Sequence, residues 1–589
     1  MHYRVRVDPQ ARQLSLSLTL ARKERGDISL AVPTWVPGAY AFMRYGRDVF
    51  DLGAEDVATG EPLRVERDGF SGFRIKDASP EVRVTAKISA ADGAWGELVG
   101  FVEPGYAVVR ASHFPFDVGN DGPCKLSLEL PDGWAIHHPG GALRDVGEGA
   151  PTFQHRSHES LVDTPVVCGA FDRLTRSDDG ATFHVVFLTR AVGHEREVEA
   201  FVDDLMVICR ATKAIFGSYP FDEYTFVVAT DPRHSFGLEH AHATLVGFGD
   251  LVFIDREARA TALRLAAHEL FHAWNVCRLR PAALMKPDFV AGSFPDGLWI
   301  SEGVTRYYEL LLATRTGVFS VNRFLSNLVR YDDAIRVLPA SRHVSLADSS
   351  KATFLNHNRF PGSTSATLDY YDKGLLVAFA IDACLRTAQT PSSLDRAFAA
   401  FYEEFVGRGF STEEAIQFFH HFASPRLPRV PLGPMLQRIV VGSDIPDTSL
   451  WLEALGFAIE RETRPMLGVW LKADRGPGVL EVLAESPAAK AGLLAGDELV
   501  AVNGFAFRPE VLSYVLAAGE PFDLEVRSGN RYRVLTVAPK VRELASLLRV
   551  VEPSLELRSW LGEGASTLAP GTPIPLNHYD NFHVAESML

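Results

Sequence analysis

The chain has 589 residues, enough for three or four domains that each bury an apolar core. Apolar residues make up 47% of the chain and charged residues 23%, which is the balance of an ordinary globular protein. The formal net charge of −15 argues against a nucleic-acid partner and against attraction to an acidic membrane surface.

The N-terminal residues and the cysteines point to a reducing compartment. The opening sequence MHYRVRVDPQ has no apolar segment of the kind found in signal peptides. The most apolar run, GLLVAFAIDACL, is interrupted by Asp382 and is too short to span a bilayer. We therefore expect a cytoplasmic protein without a membrane partner, with a periplasmic or secreted protein as the alternative if the chain is a processed form. The cysteines are odd in number and lack C-x-x-C spacing, which suggests reduced thiols at Cys124, Cys168, Cys209, Cys277 and Cys384.

Residues 1–175 are predicted to form a β-rich domain, a sandwich or a similar sheet structure. Apolar and polar residues alternate from Leu14 to Leu20, and they do so again at 82–88 and 125–130. Clusters of Gly, Pro and Asp between these runs indicate turns. The segment WVPGAYAFMRYGRDV, from Trp35 to Val49, is rich in aromatic residues for a connection, and it is either a packed loop or a substrate contact.

Residues 176–450 are predicted to form an α+β catalytic domain in which the sheet precedes most of the helices. FHVVFLT at 183–189 and YTFVVAT at 224–230 have the composition of strands, and 194–216 has the apolar spacing of a helix ending at a glycine. A helix containing the sequence HELFH follows, and GLWISEGVTRYYELLLATRTG at 297–317 is again helical by its spacing.

Residues 460–541 resemble a PDZ domain. The stretch from Ser486 to Gly504 has the pattern S-P-A-x-x-A-G-L-x-x-G-D-x-L-x-x-x-N-G, and the tripeptide LGV before it resembles a carboxylate-binding loop. Such a loop and the adjacent strand edge can bind the C-terminus of a peptide, although the same surface can also serve for packing. The remaining residues, 542–589, form a tail in which we predict an apolar helix over 543–550.

The sequence HELFH has the spacing of a zinc site. On a helix His268 and His272 lie four residues apart on one face, so two ring nitrogens can reach one Zn²⁺. Glu269 lies beside them and can take a proton from water. The helix itself is indicated by Asp255 as N-cap and by apolar residues at helical spacing. The alternative is that the two histidines only pack on a buried helix.

A catalytic zinc site needs one more protein ligand, and Glu302 in WISEG is our candidate. It begins a helix 30 residues after His272, and an antiparallel neighbour could return its carboxylate to the metal. The alternative is a carboxylate that only stabilises a helix start. Glu309 lies seven residues further on, and it either accepts a hydrogen bond from a ligand histidine or is solvated.

Four motifs together resemble the glycyl aminopeptidase family: HELFHAWNV, then WISEG, with FGLEH before them and YYDKG after them. The resemblance implies a zinc metallopeptidase of the thermolysin-like gluzincin clan. It implies a β-rich N-terminal domain, a thermolysin-like and mainly helical catalytic domain, and a C-terminal PDZ domain. The chain departs from the family at FGLEH, where such enzymes often have a second glycine before G-L-E.

The resemblance also implies two further roles and one zinc ion per chain. Glu239 corresponds to the glutamate that binds the free α-amine of the substrate. Tyr371 corresponds to the tyrosine that stabilises the oxyanion of the tetrahedral intermediate, with Tyr370 as the neighbouring alternative. A second metal held by His234, His240 and His242 is a further alternative, against substrate-lining or packed histidines.

The function that we expect is release of small N-terminal residues, Gly or Ala, from peptides with a free N-terminus. An alternative is an endopeptidase with the same zinc, in which the PDZ domain recruits protein C-termini. A third hypothesis is a scaffold without catalysis that binds peptides through the PDZ groove.

Overall fold

The computed structural model describes residues 1–91, 100–140, 143–145, 150–188, 195–231, 236–355, 364–471, 476–551, 555–576 and 583–584. These residues form two compact units, Met1–Phe294 and Pro295–Leu589. The architecture is the expected mixture of a β-rich N-terminal region, a helical middle region and a C-terminal β region. Within the described residues, no helix is both long enough and apolar enough to cross a membrane.

The first unit begins with three sheets. The largest has seven strands, in the order Leu143–Asp145, Thr152–His155, Cys124–Glu129, His2–Asp8, Gln13–Ala21, Glu81–Ser89 and Val49–Asp56. The second has the order Phe116–Asp117, Gly26–Ala31, Gly72–Ala78 and Val65–Asp68, and the third has Ala135–His137, Val166–Gly169, Tyr106–Val109 and Phe101–Val102. Alternation explains the core, because Leu14, Leu16, Leu18 and Leu20 all point inward and are buried.

A five-stranded sheet follows in the same unit, with the order Asp172–Asp178, Ala181–Phe187, Glu223–Ala229, Ala243–Gly247 and Phe236–Glu239. Its three central strands are parallel, and the helix Glu195–Phe216 connects the first two of them. The last strand, Phe236–Glu239, is antiparallel and lies at the edge of the sheet. Residues of the helix Arg256–Phe271, which carries HELFH, lie close to this edge strand.

The second unit starts with helices. A π-helical turn, Trp299–Val304, leads into the helix Thr305–Arg315. The α-helices after it are Val321–Val337, Leu346–Ala352, Tyr370–Arg386, Leu394–Phe405, Thr412–Ala423, Leu432–Leu436, Thr448–Ala454 and, near the end of the chain, Leu555–Leu561. The helix Tyr370–Arg386 is buried along nearly its whole length and forms the centre of this region.

The PDZ region has its own core and three small sheets. Phe457–Met466 pairs with Lys540–Val550, which pairs with Pro573–Pro575. Val469–Leu471 lies between Val479–Val482 and the short strand His583–Val584, and the latter runs parallel to it. The last sheet has the order Phe505–Ala506, Glu498–Val502, Phe522–Ser528 and Arg531–Val537, and the helices are Pro487–Ala491 and Pro509–Ala517.

The predicted helix over 543–550 is wrong, because these residues belong to the strand Lys540–Val550. The strand pairs with Phe457–Met466 along its whole length, and the pairing is interrupted by a β-bulge. At the bulge, Leu547 faces Glu460 and Ala545 faces Arg461, so Ser546 is the extra residue. The extra residue breaks the alternation of apolar side chains and gives the sequence the spacing of a helix.

Candidate active site

The helix that carries HELFH begins and ends as the sequence predicts. The side chain of Asp255 caps its first turn and accepts a hydrogen bond from Ala258 N at 2.7 Å. The helix ends at Phe271, so His268 and Glu269 lie in its last turn and His272 is the C-cap residue. All three side chains are buried, and the rings of the two histidines are 4.6 Å apart between centroids. The motif therefore presents two imidazoles and a carboxylate together.

The loop after the helix fixes the protonation of His272. Its Nδ1 lies 2.8 Å from the backbone oxygen of Asn275, which can only accept a hydrogen bond. Nδ1 therefore carries the proton, and Nε2 is the nitrogen with a lone pair for a metal. The loop turns sharply, since Val276 has a positive φ of 103° and Cys277 N donates to His272 O. Burial raises the pKa of the Cys277 thiol well above its ordinary value, so this cysteine is inert.

Glu302 is buried in the π-helical turn Trp299–Val304, not at the start of an α-helix as the sequence suggested. Such turns are frequent at functional sites, because the extra residue redirects one side chain of a helix. The side chains of His268, His272 and Glu302 are all buried. Two imidazole nitrogens and one carboxylate oxygen are the donors that catalytic zinc sites use, so the chemistry of this set fits zinc.

The motif FGLEH lies beside the same helix, and its glycine is required there. A Cβ added to Gly237 would clash with Glu269 Oε1 and would lie 2.9 Å from Leu265 Cδ1. Glu239 ends the same edge strand, and its carboxylate, that of Glu269 and the His272 ring have ligand atoms within 4.8 Å of one another. Glu239 is thus close to the predicted catalytic residues.

The aromatic-rich segment near Trp35 contacts Glu239. The hydroxyl of Tyr40 donates to Glu239 Oε1 at 3.3 Å. A Cβ on Gly38, which has a φ of +82°, would lie 3.0 Å from each carboxylate oxygen of Glu239. The sequence did not assign a role to either residue. The aromatic content and the Pro-Gly pair were signals of an unusual loop, but nothing in the sequence indicated which residue the loop contacts.

His240, one of the histidines near Glu239, has a structural partner. His240 Nδ1 lies 3.2 Å from Asp163 Oδ1, and Ala241 N donates to the other oxygen of the same carboxylate at 3.0 Å. Burial lowers the pKa of His240 despite this carboxylate, and burial likewise lowers that of His242. Among the described residues, neither histidine belongs to a group that could hold a metal. His234, the third histidine of that hypothesis, lies outside the described residues.

Two glycines bring the motifs WISEG and YYDKG into contact in the second unit. A Cβ added to Gly303 would clash with the backbone of Gly374, and one added to Gly374 would lie 2.8 Å from Gly303 Cα and from Trp299 O. The two helical segments therefore approach at backbone distance. The helix that contains Gly374 is capped by Asp369, whose side chain accepts from Tyr371 N at 2.7 Å.

The adjacent tyrosines differ in environment. Tyr370 is buried, and its hydroxyl lies 3.0 Å from Thr353 Oγ1. Tyr371 is partly exposed and stacks on Tyr370, with ring centroids 5.0 Å apart. A group that donates to a bound substrate must be accessible, so these positions favour Tyr371 over Tyr370.

Glu309 is buried, which excludes the alternative of a solvated glutamate. The guanidinium of Arg306, on the same helix, forms a buried ion pair with Asp372 at 2.8 Å and donates to the hydroxyl of Tyr331 at 3.0 Å. Burial alone would lower the pKa of Arg306, but Tyr331, Asp372 and Glu309 together raise it well above its ordinary value. A permanent positive charge therefore lies between carboxylates from two helices.

Comparisons with known proteins match most parts of the chain. The model of the M61 glycyl aminopeptidase family matches residues 261–377, which include HELFH, WISEG and YYDKG. The model of the peptidase M61 N-terminal domain matches residues 2–170, and a PDZ domain model matches residues 478–527. No curated protein matches the chain in sequence.

One solved structure shares the fold of this chain, and others have lower similarity. An aminopeptidase N family protein from Idiomarina loihiensis is 21% identical and has a TM-score of 0.84, covering 95% of this chain and 99% of its own. An M1 zinc metallopeptidase from Deinococcus radiodurans is 16% identical, with a TM-score of 0.47 over 76% of this chain and 94% of its own. A mutant of that enzyme bound to the peptide Tyr-Ser-Ala gives a TM-score of 0.45, with the same identity and coverage.

Proposed function

We propose that the chain is a zinc-dependent aminopeptidase of the M61 glycyl aminopeptidase family, whose models match residues 261–377 and 2–170, and that it releases small N-terminal residues, Gly or Ala. We propose one zinc ion per chain, with His268, His272 and Glu302 as its ligands. When bound, zinc acts as a Lewis acid that acidifies water and polarises a carbonyl. The donor set described above supports this choice of metal.

The observation that carries the proposal of an aminopeptidase is the position of Glu239 beside Glu269 and His272. In an N-terminal residue, the α-nitrogen and the scissile carbonyl carbon are separated by two bonds, which is about 2.5 Å. A carboxylate that binds the ammonium group must therefore lie within a few ångströms of the residues that attack the carbonyl. A buried anion at this position also favours a cationic substrate group over a neutral peptide nitrogen.

The remaining side chains then have defined tasks. Glu269 takes the proton of the attacking water and passes it to the leaving amine. The hydroxyl of Tyr371 donates to the oxyanion as the carbonyl becomes tetrahedral. The substrate is a peptide with a free N-terminus.

The test compares glycyl and alanyl p-nitroanilides with their N-acetylated forms, using the zinc-loaded protein. We expect hydrolysis of the free amines only, and a lower rate for leucyl than for glycyl substrate. Glu269→Gln is the control, because it removes the base and keeps the three metal ligands, so it should retain zinc and lose at least about a hundredfold in kcat. Equal hydrolysis of acetylated substrates would overturn the assignment of Glu239, and full activity of Glu269→Gln would overturn the mechanism.

The second candidate is an endopeptidase that recruits protein C-termini through the PDZ groove. The strand next to the LGV loop, Val469–Leu471, would have to offer its free edge to such a peptide. That edge is paired with His583–Val584 of the same chain, so a peptide would first have to displace this segment. The pairing favours the aminopeptidase over this alternative and also over a peptide-binding scaffold.

A further inference from the structure

The segment Trp35–Tyr40 has an unusual backbone for a connection between strands. Gly38 and Tyr40 both have positive φ, +82° and +52°, with Ala39 between them. Tyrosine rarely adopts this region, since its Cβ crowds the backbone there. Side chains that are held in such conformations often belong to binding or catalytic sites, where the surrounding structure compensates for the strain.

Hydrogen bonds hold the segment in place at its beginning. Thr34 N donates to Phe289 O at 2.8 Å, and the hydroxyl of Thr34 donates to Val290 O at 2.6 Å. Met43 N donates a hydrogen bond to Thr34 O at 2.7 Å, and this bond closes the loop. The loop is therefore fixed to residues that follow the HELFH helix in the chain, and Tyr40 has a defined position.

The fixed position places the Tyr40 hydroxyl against a buried carboxylate. Tyr40 is 2% exposed and Glu239 is 8% exposed, and the hydroxyl donates to Glu239 Oε1 at 3.3 Å. Gly38 approaches both oxygens of the same carboxylate so closely that a Cβ would lie 3.0 Å from each of them. Tyr40 therefore binds the Glu239 carboxylate, and Gly38 allows the loop to come close enough for that hydrogen bond.

The surroundings of Glu239 explain why its orientation has to be controlled. Its ligand atoms lie within 4.8 Å of those of Glu269 and His272, so a carboxylate free to rotate could turn toward the catalytic residues. A hydrogen bond to an ionised acceptor is stronger than one between neutral groups, and it restricts the rotamers of a flexible glutamate.

We propose that Tyr40 is a positioning residue for the substrate's α-amine: its hydroxyl holds the Glu239 carboxylate in the orientation that receives the ammonium group of the N-terminal residue. This inference rests on the proposed function, because it takes Glu239 as the amine-binding group. The β-rich N-terminal region then contributes to substrate binding as well as to the fold.

The experiment measures kcat and KM of Tyr40→Phe with glycine p-nitroanilide. The substitution removes one hydroxyl and keeps the ring, so we expect KM to rise about five- to tenfold while kcat changes less than about threefold. Tyr3→Phe is the matched control: Tyr3 is equally buried, and its hydroxyl contacts the sulfur of Met1 at 3.6 Å. Its KM should equal that of the unaltered protein.

A double variant separates positioning from a structural role. In a Glu239→Ala background the acceptor of the Tyr40 hydroxyl is absent, so adding Tyr40→Phe should leave KM unchanged within twofold. The same rise of KM in both backgrounds, or no rise in the first, would overturn the inference. Failure of the proposed function gives a different result, since the unaltered protein would then hydrolyse acetylated and free substrates alike.

Discussion

Tyr370 and Tyr371 show how neighbouring residues of one type can be suited to different tasks. The Tyr370 hydroxyl is buried and contacts Thr353, whereas Tyr371 is partly exposed at the start of its helix. Because Asp369 caps this helix through Tyr371 N, the backbone that carries the phenol is fixed. A fixed backbone and a partly exposed side chain suit an oxyanion donor.

We expect Tyr371→Phe to lower kcat for glycine p-nitroanilide about a hundredfold with little change in KM, because the lost hydrogen bond forms only in the transition state. Tyr370→Phe is the control and should keep kcat within about threefold, since its hydroxyl contacts Thr353. Its expected effect is on stability, about 1 kcal/mol, measured by thermal unfolding. Equal loss of kcat in the two variants would contradict the assignment of the oxyanion donor.

At the scale of single residues, the sequence predicted which side chains come together only when those residues are close in the chain. His268, Glu269 and His272 lie within one turn or so of a helix, and their grouping follows from helical geometry alone. The contact of Tyr40 with Glu239 joins residues 199 positions apart, and no periodicity encodes it. The protonation of His272 was also unpredictable, because the backbone carbonyl of a following loop decides it.

At the scale of elements, Gly303 and Gly374 bring two segments of the second unit close together. Their contact packs the π-helical turn of Glu302 against the helix that begins with Tyr370, at backbone distance. Ridges of larger side chains would keep two helices about 8–10 Å apart. The glycines of WISEG and YYDKG therefore belong to one structural feature, although they are 71 positions apart in the chain.

We expect Gly374→Ala to destabilise the protein by about 1–3 kcal/mol, because the new Cβ would lie against Gly303 Cα and Trp299 O. A loss of stability is informative because it is the opposite of the usual effect. Within a helix, replacing glycine by alanine normally stabilises a protein by about 0.5–1 kcal/mol. Thermal unfolding measures the effect, and Gly249→Ala is the control, since no atom lies within 4 Å of its added Cβ. A Gly374→Ala protein as stable as the unaltered one would show that the helices can separate without cost.

The predictions for elements succeeded where the pattern was regular. The strands at 14–20 and 82–88 pair with each other as alternating sequences should, with Leu16 opposite Ala86. The helix at 194–216 is found at Glu195–Phe216, and its stop, Gly217, has a positive φ of 87°. The strand Lys540–Val550 was missed because a β-bulge at Ser546 changes the period of its apolar residues. Irregular pairing of this kind depends on the partner strand and is not visible in one segment.

At the scale of the whole molecule, the arrangement of the donors has a consequence for stability. His268 and His272 belong to a helix that follows the five-stranded sheet, and Glu302 belongs to the first turn of the helical region. If all three residues are ligands, as we propose, the complete ligand set exists only in the folded chain. Zinc should therefore bind the folded protein far more tightly than the unfolded chain, and binding should stabilise the fold.

We expect removal of zinc with 1,10-phenanthroline to abolish hydrolysis and to lower the unfolding temperature, and added zinc to restore both. At free zinc one hundred times the dissociation constant, the stabilisation should be about 2.7 kcal/mol. Magnesium should not replace it, because Mg²⁺ prefers six oxygen ligands. Elemental analysis should give one zinc per chain.

Two variants distinguish a residue that binds the metal from the residue that acts as the catalytic base. Glu302→Gln removes a ligand, so it should bind zinc weakly and show a much smaller rise of the unfolding temperature with added zinc. Glu269→Gln should be inactive and yet show the full rise of the unfolding temperature with added zinc, because the Glu269 carboxylate acts on water rather than on the metal. If Glu302→Gln kept one tightly bound zinc and the full rise of the unfolding temperature, Glu302 would not be the third ligand. The metal would then be held by a different carboxylate, and Glu239, which groups with His272 and Glu269, would be the residue to replace next.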